Sequence, residues 1–219
     1  MEITYFGHSA FRLKGKTGTV VMDPFEIQGL VMPKVSADIL TISHQHADHN
    51  AVSKVGGTTR RPKPFLINAP GEYEVGGISV FGIPSYHDAA HGADRGSNII
   101  FVIQLDEFSV CHLGDIGHAP TQAQIDKIGH VDALFVPVGG VFTITAEQAV
   151  EVINAIEPSY VIPMHYKTEK HDPTVFGEMS DLDTFLKVYG VSKLPQANLQ
   201  LSSLSSPEET ELVVLEPMS

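Results

Sequence analysis

Apolar residues near the start of the chain fall into three short runs, at 3–6, 10–13 and 19–22, separated by Gly7-His8 and by the polar stretch 14–18. Short apolar, β-branched runs bounded by glycine and polar clusters predict strands, here an antiparallel meander. Asp23-Pro24 stops it, because proline removes a donor from the ladder. A loop with Gly29 and Pro33 follows to about residue 34. Residues 38–43 predict a buried strand, and residues 50–54 look like the first turns of a helix. Further strands are expected at 65–67 and 78–84, with the turn 68–71 between them and the basic loop 56–64 before them. Residues 98–103 and 108–113 make a hairpin.

Beyond residue 115 the pattern alternates helix and strand. Thr121 with Gln124 and Thr145 with Gln148 form two capping boxes, each satisfying two free backbone donors at a helix start. The first opens a helix to about Ile128. Behind the second, Ala146, Ala149, Val150, Ile153 and Ile156 share one helix face, and Pro158 ends it. Strands at 133–138 and 160–164 and a last helix at 180–189 complete the alternation. The tail adds one or two strands, at 199–201 and 212–215, around a Ser/Pro/Glu-rich turn. Strands first and strand-helix alternation later predict an α/β (α+β) chain of sheets covered by helices. No linker divides it, so one domain over 1–219 is expected.

Composition narrows the function. The 219 residues are 42% hydrophobic and 18% charged, as in a compact folded protein. A net charge of −12 argues against nucleic acid, whose phosphates need basic patches. There is no apolar run of membrane-spanning length and no basic, then apolar, leader at the start. The single cysteine, Cys111, excludes an internal disulfide, fits a buried strand position, and points to the cytoplasm.

The chemistry concentrates in Ser43-His44-Gln45-His46-Ala47-Asp48-His49, at the predicted junction of a strand and a helix. In extended chain, residues two apart point the same way, so His44 and His46 can share a target. Asp48 and His49 come after the chain turns and can aim at a second point nearby. Two adjacent foci suggest two metal ions. Asp23, His87, Asp115 and His165 also follow short apolar runs, and side chains at strand ends converge on sites.

These residues resemble the metallo-β-lactamase superfamily over nearly the whole length. The carriers are the 43–49 motif, Met22-Asp23-Pro24, Tyr86-His87-Asp88, His112-Leu113-Gly114-Asp115 and Pro163-Met164-His165-Tyr166. Residues 5–11, Tyr-Phe-Gly-His-Ser-Ala-Phe, look more specifically like the subgroup with ascorbate-6-phosphate lactonases. The resemblance implies a four-layer αββα sandwich of two mixed sheets flanked by helices. It implies His44, His46 and His87 on one metal, Asp48, His49 and His165 on the other, and Asp115 bridging. Asp23 would orient a ligand histidine. Nitrogen and carboxylate ligands without thiolates suit two Zn²⁺, with Mn²⁺ or Fe²⁺ as alternatives. A hydroxide shared by the two cations would attack a small ester, lactone or phosphoester. Asp48 and Asp115 are expected first as ligands and secondarily as proton relays.

Other residues divide between site and scaffold. His8 and His112 could sit behind the ligands or touch substrate, and His118 is a candidate proton donor to the leaving group. His87 is preferred over His91 as ligand. Glu72 and Glu74 could rim the site or lie on a solvated hairpin. Gly139-Gly140 could let backbone approach a ligand, and Lys167 could bind an anion. His130 and His171 are expected at the surface. Specificity is expected in loops 24–34, 56–64, 88–97 and 166–179. The expected partner is a small molecule, with an anionic one allowed by the cations; a homo-oligomer is left open. The rival functions are a nuclease or phosphodiesterase on the same metal motif, which an acidic chain disfavours, and a non-catalytic metal sensor on the same fold, which an intact ligand set disfavours.

Overall fold

The computed structural model describes residues 1–203 and 207–218; residues 204–206 of the expected Ser/Pro/Glu-rich turn lie outside them. Strands β1 (Glu2–Gly7), β2 (Ala10–Lys14), β3 (Thr19–Met22), β4 (Val35–Ser36), β5 (Ile39–Thr41), β6 (Val55–Gly56), β7 (Phe65–Ile67), β8 (Gly71–Val75), β9 (Ile78–Tyr86), β10 (Ser97–Leu105) and β11 (Phe108–His112) come first. Then follow α1 (Gln122–Ile128), β12 (Ala133–Pro137), α2 (Ala146–Ile156), β13 (Tyr160–Met164), α3 (Pro173–Phe176), α4 (Leu182–Tyr189), β14 (Leu199–Gln200) and β15 (Glu211–Leu212).

Two mixed sheets result. One has the order β14-β1-β2-β3-β5-β7 and the other β15-β13-β12-β11-β10-β9-β8. In the first sheet the meander is antiparallel, with Ile3 opposite Leu13 and Leu13 opposite Val20. β3, β5 and β7 are parallel. In the second, β8 to β11 are antiparallel neighbours and β11, β12, β13 and β15 are parallel. Counting reversals, β1, β3 and β5 run one way, and so do β9, β11 and β13. Each of these six strands delivers a candidate site residue from its C-terminal end.

Period-2 alternation sorts the first sheet's side chains between two buried layers. Tyr5, Phe11, Val20, Met22 and Ile39 join the large core shared with the second sheet. Phe6, Ala10, Val21 and Leu40 face a smaller one with Phe25, Ile27, Met32 and Phe176. Tyr5, Phe11 and Phe135 stack in series, with centroids 4.7 and 4.1 Å apart. The second sheet carries regular helices, with Ala149, Ile153 and Ile156 of α2 and Phe185 of α4 in the large core. The first sheet's outer face is covered by the Pro- and Gly-containing segment 24–34, whose residues Phe25, Ile27 and Met32 are buried.

Both capping boxes form, at Thr121–Gln124 and Thr145–Gln148. On α2, Val152 is buried and Val150 only half-buried, so the buried stripe is rotated slightly from the expected one. Residues 50–54 make only a 3₁₀ turn, Val52–Lys54. Their backbone is committed elsewhere: Ala51 N–H donates to Pro24 O and Glu26 N–H to Ala47 O. Glu72 and Glu74 belong to β8, an exposed edge strand. Cys111 is buried on β11. Among the described residues no helix is long and apolar enough to cross a membrane.

Candidate metal centre

His8, Asp23 and His165 follow β1, β3 and β13 directly, and all three have positive φ, at 53°, 43° and 53°. Non-glycine residues rarely adopt this conformation; Asp and His tolerate it best. It reverses the chain at the strand end. The backbone then ties the sheets together, since His165 N–H donates to His8 O at 2.8 Å.

Asp115 lies at the focus. Its Oδ2 is 3.0 Å from His165 Nε2, 3.2 Å from His49 Nε2, 3.4 Å from His87 Nε2 and 3.8 Å from His44 Nε2. Asp48 Oδ2 lies 3.3 Å from His8 Nε2 and 3.9 Å from His49 Nε2. Donor atoms of His44, His46 and His87 fall in one group within 4.8 Å of one another, and those of His8, Asp48, His49 and His165 in a second. A third group, Asp23, His44 and His49, joins the first two, so the expected residues converge around Asp115, with His8 beside Asp48 and His165.

Asp23 sets the tautomers. Fully buried, it accepts from Ser43 N–H (2.8 Å), from Ser43 Oγ–H (2.5 Å) and from His49 Nδ1 (2.9 Å). Ser43 Oγ in turn lies 3.0 Å from His44 Nδ1. Asp23 can only accept, so His49 carries its proton on Nδ1. Ser43 spends its own proton on Asp23, so His44 must donate from Nδ1 too. Both rings then turn Nε2 lone pairs toward Asp115. His44 Nε2, His49 Nε2 and Asp115 Oδ1 are buried without a hydrogen-bond partner. Such ring nitrogens packed against a carboxylate fit a positive charge between them, a metal ion or, at His49, a proton.

Electrostatics follow the same geometry. Burial, then repulsion from His49, lowers His44 to about 3. Burial, then His165, lowers His8 to about 3. Burial also opposes charge on His49, but Asp115 and Asp23 on either side raise its pKa well above the usual value, so a cation at this position takes the place of the proton that Nε2 otherwise shares with Asp115. For Asp115 burial favours the neutral acid; His165 and His49 outweigh it and hold the carboxyl well below its ordinary range.

Buried groups outside the motif hold Asp115 in place. Asn98 donates to Leu113 O and Ser85 Oγ and accepts from Asp115 N–H at 3.0 Å. Gly114, at φ 59°, must lack a side chain because a Cβ would overlap Asn98 and Ser43. His112 Nε2 donates to Ser9 O and its Nδ1 accepts from Gly114 N–H. It joins the His8 turn to the Asp115 loop and touches no cleft surface. Asn98 carried no distinctive sequence signal, and Ser43 and Gly114, though inside the motifs, were assigned no role of their own, because these roles exist only once distant strands meet.

A cleft of about 400 Å³ opens on the cluster, lined by His46, Asp48, His87, Asp115 and His165 and walled by Ile27, Phe142, Val175 and Phe176. Loops 24–34, 88–97 and 166–179 contribute, as expected; 56–64 does not, and Phe142 stands where no loop was anticipated. Other expectations change. His118 is outside the lining: its Nε2 accepts from Tyr86 N–H and its Nδ1 donates to Ala119 O, leaving no proton for a leaving group. Glu72 and Glu74 lie away from the cleft on the edge strand, Glu74 accepting from Ser79. Lys167 turns to Gly177 O. A Cβ on Gly139 would overlap His165 O, so that glycine admits the chain's own backbone rather than a ligand. His91 is exposed against the Tyr86 ring. His130 is exposed as expected, but His171 is buried, 5.7 Å from the His8 ring, with Nδ1 held by Thr168. The turn 168–171 and α3 fold it inward, which its polar sequence neighbourhood concealed.

Comparison with known proteins agrees with this architecture. The model of the beta-lactamase superfamily domain matches residues 2–165. A UPF0173 metal-dependent hydrolase of Methanoculleus marisnigri is 32% identical over 187 residues, covering 77% of this chain and 82% of the relative. A Thermotoga maritima structure, ascribed to the Zn-dependent hydrolases of the metallo-beta-lactamase superfamily, superposes with a TM-score of 0.79 at 37% identity, over 98% of this chain and 97% of that one. A diiron beta-hydroxylase of Streptomyces venezuelae shares the fold alone, at 16% identity and a TM-score of 0.61, covering 98% of this chain and 53% of that one. With matched residues spanning both sheets and every strand end in the cluster, the chain belongs to the beta-lactamase superfamily, among its metal-dependent hydrolases.

Proposed function

We propose that the cluster holds two divalent cations and that the protein hydrolyses a small ester, lactone or phosphoester. The observation that carries this reading is the position of Asp115 Oδ2 between the two groups of imidazoles. His44, His46 and His87 would hold one cation, Asp48, His49 and His165 the other, and Asp115 both. Donors of this type suit Zn²⁺, and the same set accommodates Mn²⁺ or Fe²⁺. When bound, such a pair supplies Lewis-acid polarisation of a substrate oxygen and acidifies water at neutral pH.

The chain's own residues do the rest. Asp23 and Ser43 hold a proton on Nδ1 of His49 and His44, so that Nε2 is the atom each ring offers to a cation. His8 steadies Asp48, which lines the cleft; burial favours its neutral form, but the His8 contact keeps it ionised. Asp48 is therefore the solvent-facing carboxylate kept charged for a cation, and proton uptake is at most its secondary role. The walls from Phe142, Val175 and Phe176 exclude water from one side of the substrate. Lactones stay among the substrates because residues 5–11 resemble ascorbate-6-phosphate lactonases. The acidic chain favours a small molecule over nucleic acid, and a lone buried cysteine suits the reducing cytoplasm.

The test measures metal content together with hydrolysis of bis-p-nitrophenyl phosphate and of a simple γ-lactone. His46 is exposed, so His46→Ala should fold normally, lose metal and lose turnover. A fully loaded protein that turns over neither compound, or a His46→Ala variant as active as the parent, defeats the reading.

A further inference from the structure

The cleft holds one cationic side chain of its own. Among the described residues lining it, four are carboxylates, Glu26, Asp48, Asp115 and Asp172, and Arg95 is the one lysine or arginine. Arginines in acidic surroundings normally pair. The lysine and arginine ion pairs among the described residues are Arg12–Glu2, Lys54–Glu26 and Lys193–Glu211; Arg95 has none. Its one polar contact is a long 3.4 Å approach of Nη2 to Val141 O, near the limit of a hydrogen bond.

This guanidinium is nevertheless held in place. Its Cζ sits 4.9 Å from the centroid of Phe142, a wall of the cleft. Stacking of this kind fixes the plane of the fork while leaving its N–H edge open. The loop behind it is also fixed. The Asp88 carboxylate accepts four backbone N–H bonds, from Ala90, Gly92 and Arg95 at 2.8 Å each and from Asp94 at 3.1 Å. That loop starts at His87, whose backbone N–H donates to Gly96 O at 3.0 Å. One short, internally bonded loop therefore carries a candidate metal ligand at its start and an unpaired arginine near its end. An exposed arginine is ordinarily a solvated surface group; an ordered, stacked and unpaired one at the mouth of an active cleft is poised for a ligand.

We propose that Arg95 binds an oxyanion of the substrate, a carboxylate or phosphate set apart from the scissile bond, and so selects anionic substrates. This rests on the hydrolase reading of the cleft. The anion would lie against the guanidinium, the apolar middle over Phe142 and Phe176, and the bond to be cleaved at the Asp115 cluster. A planar fork matches both kinds of oxyanion, so the two sources need separate probes.

Three slowly cleaved anilides serve as probes in calorimetric titrations of the metal-loaded protein: N-(4-nitrophenyl)succinamic acid, its phosphonate counterpart and the neutral N-(4-nitrophenyl)butyramide. The parent protein should bind at least one anion about 10-fold tighter than the neutral amide, as a charge-assisted contact to arginine provides. In Arg95→Met, which keeps much of the stem, that ratio should collapse toward one. Arg95→Lys should keep part of it. The tighter of the two anions names the group. Equal binding of all three probes, no binding at millimolar concentration, or a preference that survives Arg95→Met overturns the proposal; in the last case the anion sits on the cations. Circular dichroism and metal content check that each variant is folded and loaded. Because binding is read without turnover, the two ideas fail separately. An Arg95-dependent preference without hydrolysis of the corresponding 4-nitrophenyl esters sinks the hydrolase reading alone. Hydrolysis of the esters without any Arg95-dependent preference sinks the anion site alone.

Discussion

Replacing Asp23 by asparagine tests how the metal centre is organised, because it keeps the shape and reverses one hydrogen bond. The carboxylate is buried and accepts from Ser43 N–H, Ser43 Oγ–H and His49 Nδ1–H. An amide in the same place can accept from the serine backbone through its oxygen, but its NH₂ then faces His49 and Ser43. His49 can satisfy that donor only by moving its proton from Nδ1 to Nε2, the atom 3.2 Å from Asp115. A protonated Nε2 cannot ligate. Loss of an orienting partner of this kind typically weakens metal binding about 10–100-fold, or about 1.4–2.7 kcal/mol. At about 2–4 °C per kcal/mol for a chain of this size, the metal-loaded protein should melt about 3–11 °C lower, beyond any change in the metal-free form. Competition against a chromophoric chelator gives the affinities, and scanning calorimetry with and without chelator gives the shift. Ser43→Ala should show a smaller loss, since it removes the relay to His44 and leaves the His49 bond. Asp23→Asn competing as well as the parent, with its fold intact, refutes the tautomer argument.

Two further outcomes follow from packing and from titration. Phe135 is fully buried between the sheets and stacks on Phe11 at 4.1 Å, so Phe135→Ala should lower the unfolding free energy by about 3–5 kcal/mol, read by urea denaturation. His171 is lowered from 6.5 to about 4 by burial and then by His165. A depressed histidine binds fewer protons folded than unfolded, so its contribution is present above pH 6.5 and is lost as pH falls from 6.5 through about 4. Chelator-treated protein should lose stability across that window, and His171→Phe should flatten the loss; an unchanged slope would show that the ring is not held neutral by its surroundings.

Much of this protein is legible in local pattern. The meander at the N-terminus, both capping boxes and the hairpin at 97–112 depend on residues near one another in sequence, and all appear in the structure. β8 escaped notice because it is short and Glu-rich: its alternation rests on two half-buried residues, Tyr73 and Val75, beside the exposed Glu72 and Glu74. The 3₁₀ turn at Val52–Lys54 fell short of a helix because Pro24 O takes the Ala51 N–H and Glu26 N–H takes the Ala47 carbonyl, the two groups that a helix would have paired with each other.

By itself the sequence determined which imidazoles and carboxylates stand at strand ends, since residues placed just past apolar runs must emerge there whatever the fold does next. Only the tertiary structure decided their working relations: that one oxygen of Asp115 faces four imidazoles, that Asp23 reaches both His49 and His44, that His171 is inside and His118 turned aside, and that Arg95 stands unpaired on Phe142. The physical reason is range. Alternation, capping and turn chemistry act over a few residues, whereas hydrogen bonds and fields at a buried site act over a few ångströms between strands that the chain brings together from more than a hundred residues apart.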